Sequence, residues 1–263
     1  EHERAKLRRG FSIFDSDDQM AIIKDLATPG LKNDALSSLQ NLISAAKNNA
    51  LSPEPAAEAA RSGRARAAAD LYARYQARLT AYNAVDFDDL IRLPLTLLEA
   101  EPDLAAGWRE RLRYLLVDEC QDTNDAQYRL LKAIAGEAGQ FTCVGDDDQS
   151  IYAWRGASAA TLAHFPKAFG PKGSPDPGSD DLPPVPVLPL SVTWRNAQNI
   201  LDLANAVAEP LRRHAAVPVE PLAAAPDAPQ GRSDIARGPT TAEEAKLVAR
   251  WIAQRRAEGA QSA

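Results

Sequence analysis

Two short acidic segments carry the residues best suited to chemistry. The first, Asp118-Glu119-Cys120-Gln121-Asp122, follows the apolar run Tyr114-Leu115-Leu116-Val117. An apolar strand ending in adjacent acids can hold Mg²⁺ through one carboxylate and its waters. The neighbouring carboxylate can then take a proton from an attacking water. Taken alone, such a dipeptide is more often a solvated loop or a cap for the next helix.

The second segment runs from Gly145 to Ala157 and contains Asp146-Asp147-Asp148-Gln149 and Tyr152-Ala153-Trp154-Arg155. A glutamine beside a strand end can orient water or touch a terminal phosphate. In an extended segment Tyr152 and Trp154 share a face, which makes a stacking platform worth about 1–3 kcal/mol per base. Arg155 then points the other way and can grip phosphate with two donors. The competing reading makes the aromatics core residues and Arg155 an ion-pair partner.

These segments need a scaffold. Tyr114–Val117 reads as a strand buried on both faces, as in a parallel sheet. Thr123 or Asn124 caps a helix carrying Tyr128, Leu130, Leu131 and Ile134, closed by Gly136 and Gly139. Phe141–Val144 reads as a second strand. Strand, helix, strand in about thirty residues is a βαβ unit, whose ligands bind beyond the carboxyl ends of the strands. The expected fold class is therefore α/β.

Residues 1–82 read as all-helical. Asp15 caps a helix with Met20, Ile22, Ile23 and Leu26 as its apolar face. Leu36, Leu39, Leu42 and Ile43 repeat at helical spacing. Ser52-Pro53 starts a helix that runs through Leu71, Tyr75, Leu79 and Tyr82. A further helix spans 86–98, capped by Asp86, with Phe87, Leu90, Ile91, Leu95 and Leu98 as its buried stripe. Pro94 should bend it or end it early. Fourteen of the 19 prolines lie between Pro166 and Pro239, around two isolated helical patches. One of these is Thr241 to Ala257.

Composition narrows the class. The 263 residues are 45% hydrophobic and 25% charged, which is ordinary for a globular chain, with a net charge of -6. A globally basic nucleic-acid coat is excluded, but a local basic groove is not. No apolar run approaches a bilayer span and no signal peptide is visible. Two cysteines cannot build a disulfide framework or a zinc site alone. A reducing, cytoplasmic setting is expected.

Together the segments resemble the Rep/UvrD/PcrA family of superfamily 1 DNA helicases. Residues 114–124 and 145–157 are similar to motifs II and III of that family. Val85-Asp86-Phe87-Asp88-Asp89-Leu90 is similar to the short motif preceding motif II. Leu190 to Asn205, with Trp194-Arg195-Asn196, resembles motif IV. Gly10 to Leu26 is similar to the family's helical insertion, most closely in its Rep branch. The resemblance covers roughly residues 8–208.

The resemblance implies a P-loop NTPase fold with a partial RecA-like parallel sheet and a helical insertion subdomain. It implies ATP and Mg²⁺ as cofactors, and single-stranded DNA and DNA junctions as partners. It implies that Asp118 holds Mg²⁺, Glu119 activates water, and Gln149 senses the γ-phosphate. Tyr152 and Trp154 would stack on DNA bases, and Trp194 on adenine. Arg155 and Arg195 would touch the γ-phosphate, Arg195 as a finger from a second RecA-like domain. The implied domains are 1–82 (helical insertion), 83–182 (back half of the first RecA-like domain) and 183–263 (start of the second). The implied activity is ATP-driven 3′→5′ movement on single strands.

Some positions depart from the family pattern. Cys120 stands where motif II usually has an aromatic; it reads as a packed, buried thiol, with a reactive cysteine as the alternative. Trp194 stands where a tyrosine is usual and keeps a stacking face. No Gly-Lys dipeptide occurs, so the phosphate-cradling loop is absent from this sequence. The chain is therefore expected to be an internal piece of a helicase, without ATP turnover of its own. The alternatives are a piece of a helicase–nuclease subunit, or a non-catalytic module that binds single strands or a partner.

Overall fold

Asp15 starts the first helix by accepting from the amides of Asp17 and Asp18, while the Asp18 carboxylate returns to the Asp15 amide. That reciprocal cap fixes α1, Ser16–Leu26. It is followed by α2 (Asn33–Asn48), α3 (Pro53–Ala59) and α4 (Gly63–Ala81) in this computed structural model. The structure describes residues 2–136, 140–157, 188–213 and 219–259. These fall into two compact units that divide after residue 187. Gly139 and most of the Pro-rich stretch 171–189 lie outside the described residues.

The first unit's core is built by α1, α2 and α4. Ile22, Ile23, Leu36, Leu39, Ile43, Leu71, Tyr72, Tyr75 and Leu79 are all buried in it. Met20, Leu26 and Leu42 pack against its edge. The single long helix expected after Pro53 is broken. The chain leaves helix at Ala60 and restarts at Gly63, where the Ser62 hydroxyl accepts from the Ala65 amide. A Ser-Gly pair supplies a cap and weakens the helix that would otherwise continue.

The region is not all helix. β1 (Ser12–Phe14) pairs in parallel with β2 (Ala84–Asp86), in register Ser12 with Ala84 and Phe14 with Asp86. Sequence periodicity misses both because three-residue strands are too short to show a period.

After β2 come α5 (Asp89–Ala100) and α6 (Pro102–Arg111). Asp86 is therefore a strand residue rather than the cap residue of α5, although its Oδ1 accepts from the Asp89 amide at 2.9 Å. The expected stripe is partly inverted. Phe87 is 57% exposed and Leu90 37%, whereas Asp86 and Asp89 are buried. The acids turn inward because Lys47 waits there. Lys47 is fully buried, with Nζ 2.6 Å from Asp86 Oδ2 and 2.9 Å from Asp89 Oδ2. Arg92 closes on Asp89 Oδ1 and the Tyr75 hydroxyl donates to Asp86. α5 also continues past Pro94, with Leu95 and Leu98 buried beyond it. Side-chain burial outweighs the one backbone bond that proline forgoes.

β3 (Tyr114–Val117), α7 (Asp125–Ala135) and β4 (Gln140–Cys143) form the expected βαβ unit. The strands are parallel, with Val117 opposite Cys143. Asn124 caps α7 through the Gln127 amide, and the Gln127 side chain returns to the Asn124 amide. Gly136 ends α7 at φ +64°, where a Cβ would meet Arg109 Cδ at 2.9 Å. β3 is not buried on both faces. Tyr114 and Leu116 are 54% and 76% exposed. Strand alternation puts both on one face, which no described element covers.

In the second unit, β5 (Val192–Thr193) pairs in parallel with β6 (Ala223–Ala224). α8 (Gln198–Arg212) grips irregular backbone with two asparagines. Asn205 exchanges two hydrogen bonds with Leu222, and Asn199 two with Gly231. α9 spans Thr241–Ala257, matching the expected helix, and starts from the Thr240 hydroxyl.

Candidate active site

Parallel pairing in register brings the two acidic segments to the same end of the sheet. The ladder extends past the strands, with the Val144 amide donating to Val117 O and the Cys120 amide to Val144 O. Asp118 and Glu119 thus leave β3 beside Gly145 and Asp146 leaving β4. This adjacency is what the βαβ reading anticipates.

The turn after β3 is sharp. Glu119 sits in the left-handed region at φ 52°, ψ 43°, and Cys120–Asp122 form one 3₁₀ turn. A side chain there costs about 1–2 kcal/mol relative to glycine. Asp118 Oδ1 accepts from the Glu119 amide at 2.9 Å, and both acids remain exposed. Non-glycine residues held in this region often belong to functional sites.

Gln121 joins the two segments, and the sequence alone assigned it no role. It is fully buried. Its Nε2 donates to Glu119 Oε2 at 2.7 Å, and its Oε1 accepts from the Asp146 amide at 3.0 Å. The usable signal was topological. A residue between two crossover-linked strand ends can reach both, and an amide can donate and accept at once.

Asp146 organises the second segment. Its carboxylate accepts from the Asp148 amide at 3.0 Å and from Gln149 Nε2 at 2.8 Å. Gln149 is exposed at the end of the 3₁₀ turn Asp147–Gln149. The segment after it is not extended, because Ala153–Arg155 form another 3₁₀ turn. Tyr152 and Trp154 are still neighbours, with ring centroids 6.2 Å apart and planes tilted by 54°. Trp154 is 78% exposed, which disfavours the core reading of that residue. The Arg155 side chain lies outside the described residues.

A second link runs to the helical core. Asn124 Nδ2 donates to Asn48 Oδ1 at 2.8 Å, joining the start of α7 to the end of α2. A Cβ added at Gly156, which has φ +85°, would lie 3.7 Å from Asn124 Cβ and 3.9 Å from Asn48 Cβ.

A family model for the UvrD/REP helicase N-terminal domain matches residues 1–170. The chain belongs to the UvrD/REP helicase family. It is 42% identical over 208 residues to the ATP-dependent DNA helicase Rep of Escherichia coli, covering 78% of this chain and 29% of that protein. It is 41% identical over 208 residues to Rep of Salmonella typhimurium, with the same coverage. It is 38% identical over 209 residues to PcrA of Leuconostoc citreum, covering 78% of this chain and 26% of that protein. The chain thus spans less than a third of the length of these relatives.

In this UvrD/REP-family chain, Trp194 and Arg195 belong to the second unit. Trp194 is 82% exposed. The Arg195 amide donates to the Thr193 hydroxyl at 3.3 Å, just after β5. Among the described residues no cluster of three or more His, Cys, Asp or Glu could hold a metal. Asp118 nevertheless suits Mg²⁺, which keeps several waters and takes one or two carboxylates plus substrate phosphates. No helix among the described residues is long and apolar enough to cross a membrane.

Proposed function

We propose that the chain is part of an ATP-dependent DNA helicase that moves 3′→5′ on single-stranded DNA, including at junctions, in the cytoplasm. The observation that carries this reading is the shared sheet edge. There Asp118, Glu119, Asp146 and Gln149 are gathered, with buried Gln121 tying Glu119 to Asp146 and Asp146 holding Gln149. Residues 1–82 are assigned to a helical insertion, 83–182 to the first RecA-like domain of a P-loop NTPase fold, and 183–263 to the start of the second.

Asp118 would hold Mg²⁺, which offsets charge on the ATP phosphates when bound. Glu119 accepts the proton of the attacking water. The Gln121 amide occupies one acceptor site on Oε2, which leaves the exposed carboxylate other sites for that water. Gln149 contacts the terminal phosphate and, through the backbone that follows it, reports to the segment carrying Tyr152 and Trp154. Those two rings stack on bases. Arg155 and Arg195 stabilise charge on the transferred phosphoryl group, and Trp194 stacks on adenine.

The test is DNA-stimulated phosphate release. The full-length parent should turn over and Glu119→Gln should abolish it. The 263-residue chain, lacking the phosphate-cradling loop, should not turn over. Robust turnover by the chain alone, or an unaffected Glu119→Gln parent, would overturn the reading.

A further inference from the structure

Both cysteines of the sequence lie at the strand ends, one in each acidic segment's approach. Cys120 opens the 3₁₀ turn after Glu119, and Cys143 ends β4 opposite Val117. The two are joined as a disulfide, with Cα atoms 6.3 Å apart. That separation lies within the normal span of such a bond. The expectation of a packed, buried Cys120 holds for its burial, which is complete, but not for a free thiol. Cys143 is only half-buried, so a small oxidant can reach it.

We propose that Cys120 and Cys143 are a reversible oxidation site that locks the catalytic turn in its resting geometry. The locking half rests on the proposed ATPase reading, whereas the cross-link does not. Glu119 and Gln121 flank Cys120, and they are hydrogen-bonded to each other at 2.7 Å. Any movement of the Glu119 backbone toward a bound nucleotide carries residues 119–121 with it. A bond from Cys120 to β4 sits in the middle of that segment and opposes that movement. The reduced pair leaves the turn held by hydrogen bonds and by the packing of Cys120 and Gln121.

The chemistry balances with a hydroperoxide as oxidant. The Cys143 thiol attacks the O–O bond, becoming a sulfenic acid and releasing an alcohol, or water if the oxidant is hydrogen peroxide. The Cys120 thiol then displaces water from the sulfenic sulfur, forming S–S. Two electrons and two protons have passed from the thiols to the peroxide. A dithiol reverses the step by exchange.

The first test uses the purified chain, hydrogen peroxide and alkylation under denaturing conditions. The oxidised chain should take up no alkyl group and the dithiothreitol-reduced chain two. Two alkyl groups after peroxide, sulfinic acid products, or only chain-to-chain dimers would overturn the cross-link. The second test uses the full-length parent. Peroxide should lower its DNA-stimulated phosphate release by about tenfold and dithiothreitol should restore it. Cys143→Ser should match the reduced parent and ignore peroxide. A cross-linked parent with undiminished turnover, or a Cys143→Ser enzyme equally inhibited, would overturn the locking. If the reduced parent never turns over, the proposed function fails and the alkylation result stands.

Discussion

Gln121 Nε2 lies 2.7 Å from Glu119 Oε2, two residues back along the same turn, while its other amide atom accepts from the Asp146 backbone. One buried side chain therefore holds the candidate base and bridges the two strand ends that the backbone ladder brings together. Replacing it with Leu keeps the volume and strands the Asp146 amide. We expect Gln121→Leu to cost about 1–3 kcal/mol, read from urea unfolding. In the full-length parent, turnover should fall while the KM for ATP changes little. A variant as stable and active as the wild type would remove Gln121 from this role.

Glu119 separates backbone strain from chemistry. Glu119→Ala and Glu119→Gly both delete the carboxylate, but only glycine relieves the left-handed turn at φ 52°. The glycine variant should be more stable than the alanine variant by about 1 kcal/mol. Both should be inactive in the parent. Equal unfolding midpoints would show that the turn relaxes at no cost.

Lys47 is the only cation touching both Asp86 and Asp89 among the described ion pairs, and all three are buried. Lys47→Met leaves two buried acids short of a counter-charge, with Arg92 still on Asp89. We expect a loss of about 3–5 kcal/mol by chemical unfolding. A loss below that of an ordinary surface substitution would mean that the acids find another partner.

The same network sets an acid limit. Burial opposes the charged form of Asp89, but Lys47 and Arg92 outweigh it and hold the carboxyl below the usual range. Its stabilising effect is present above the unfolded value, about 3.9, and is lost as pH falls through the lower folded value. Asp88 moves the other way, raised chiefly by burial, so its protonation slightly favours the folded state first. The wild-type urea midpoint should therefore change little down to about pH 4 and drop below it. Lys47→Met should instead gain stability on mild acidification, because its uncompensated buried acids prefer to be neutral. Parallel pH profiles for the two proteins would contradict this account.

The proposed stacking role of Trp154 can be separated from folding. At 78% exposure its truncation removes little burial. Trp154→Ala should leave the melting temperature within a degree or two of wild type. In the parent it should weaken single-strand binding by about 1–3 kcal/mol, measured by fluorescence anisotropy. Unchanged DNA affinity and unwinding would end the stacking role.

Much of the site was legible because it depends on period and order. The run 114–117, the cap at Asn124 and the run 141–144 state a parallel crossover, and such a crossover puts Asp118 near Asp146. Asp15 and Thr241–Ala257 were readable for the same local reasons, a cap and a 3.6-residue repeat. The break at Ala60–Ser62 was obscured by alanines, which favour helix on both sides. β1 and β2 were hidden because three residues cannot display alternation, and their pairing joins segments some seventy residues apart.

The amino-acid sequence by itself determined the crossover that gathers Asp118, Glu119 and Gln149, the candidate residues at its strand ends, and the resemblance to a helicase family. Tertiary structure decided what each polar side chain faces. It turned Asp86 and Asp89 inward to Lys47 and left Phe87 in solvent. It put the amide of Gln121 between two strand ends and joined Cys120 to Cys143. The physical reason is that a charge or an amide is buried only where a partner from a distant segment satisfies it, and such partners leave no mark on local periodicity.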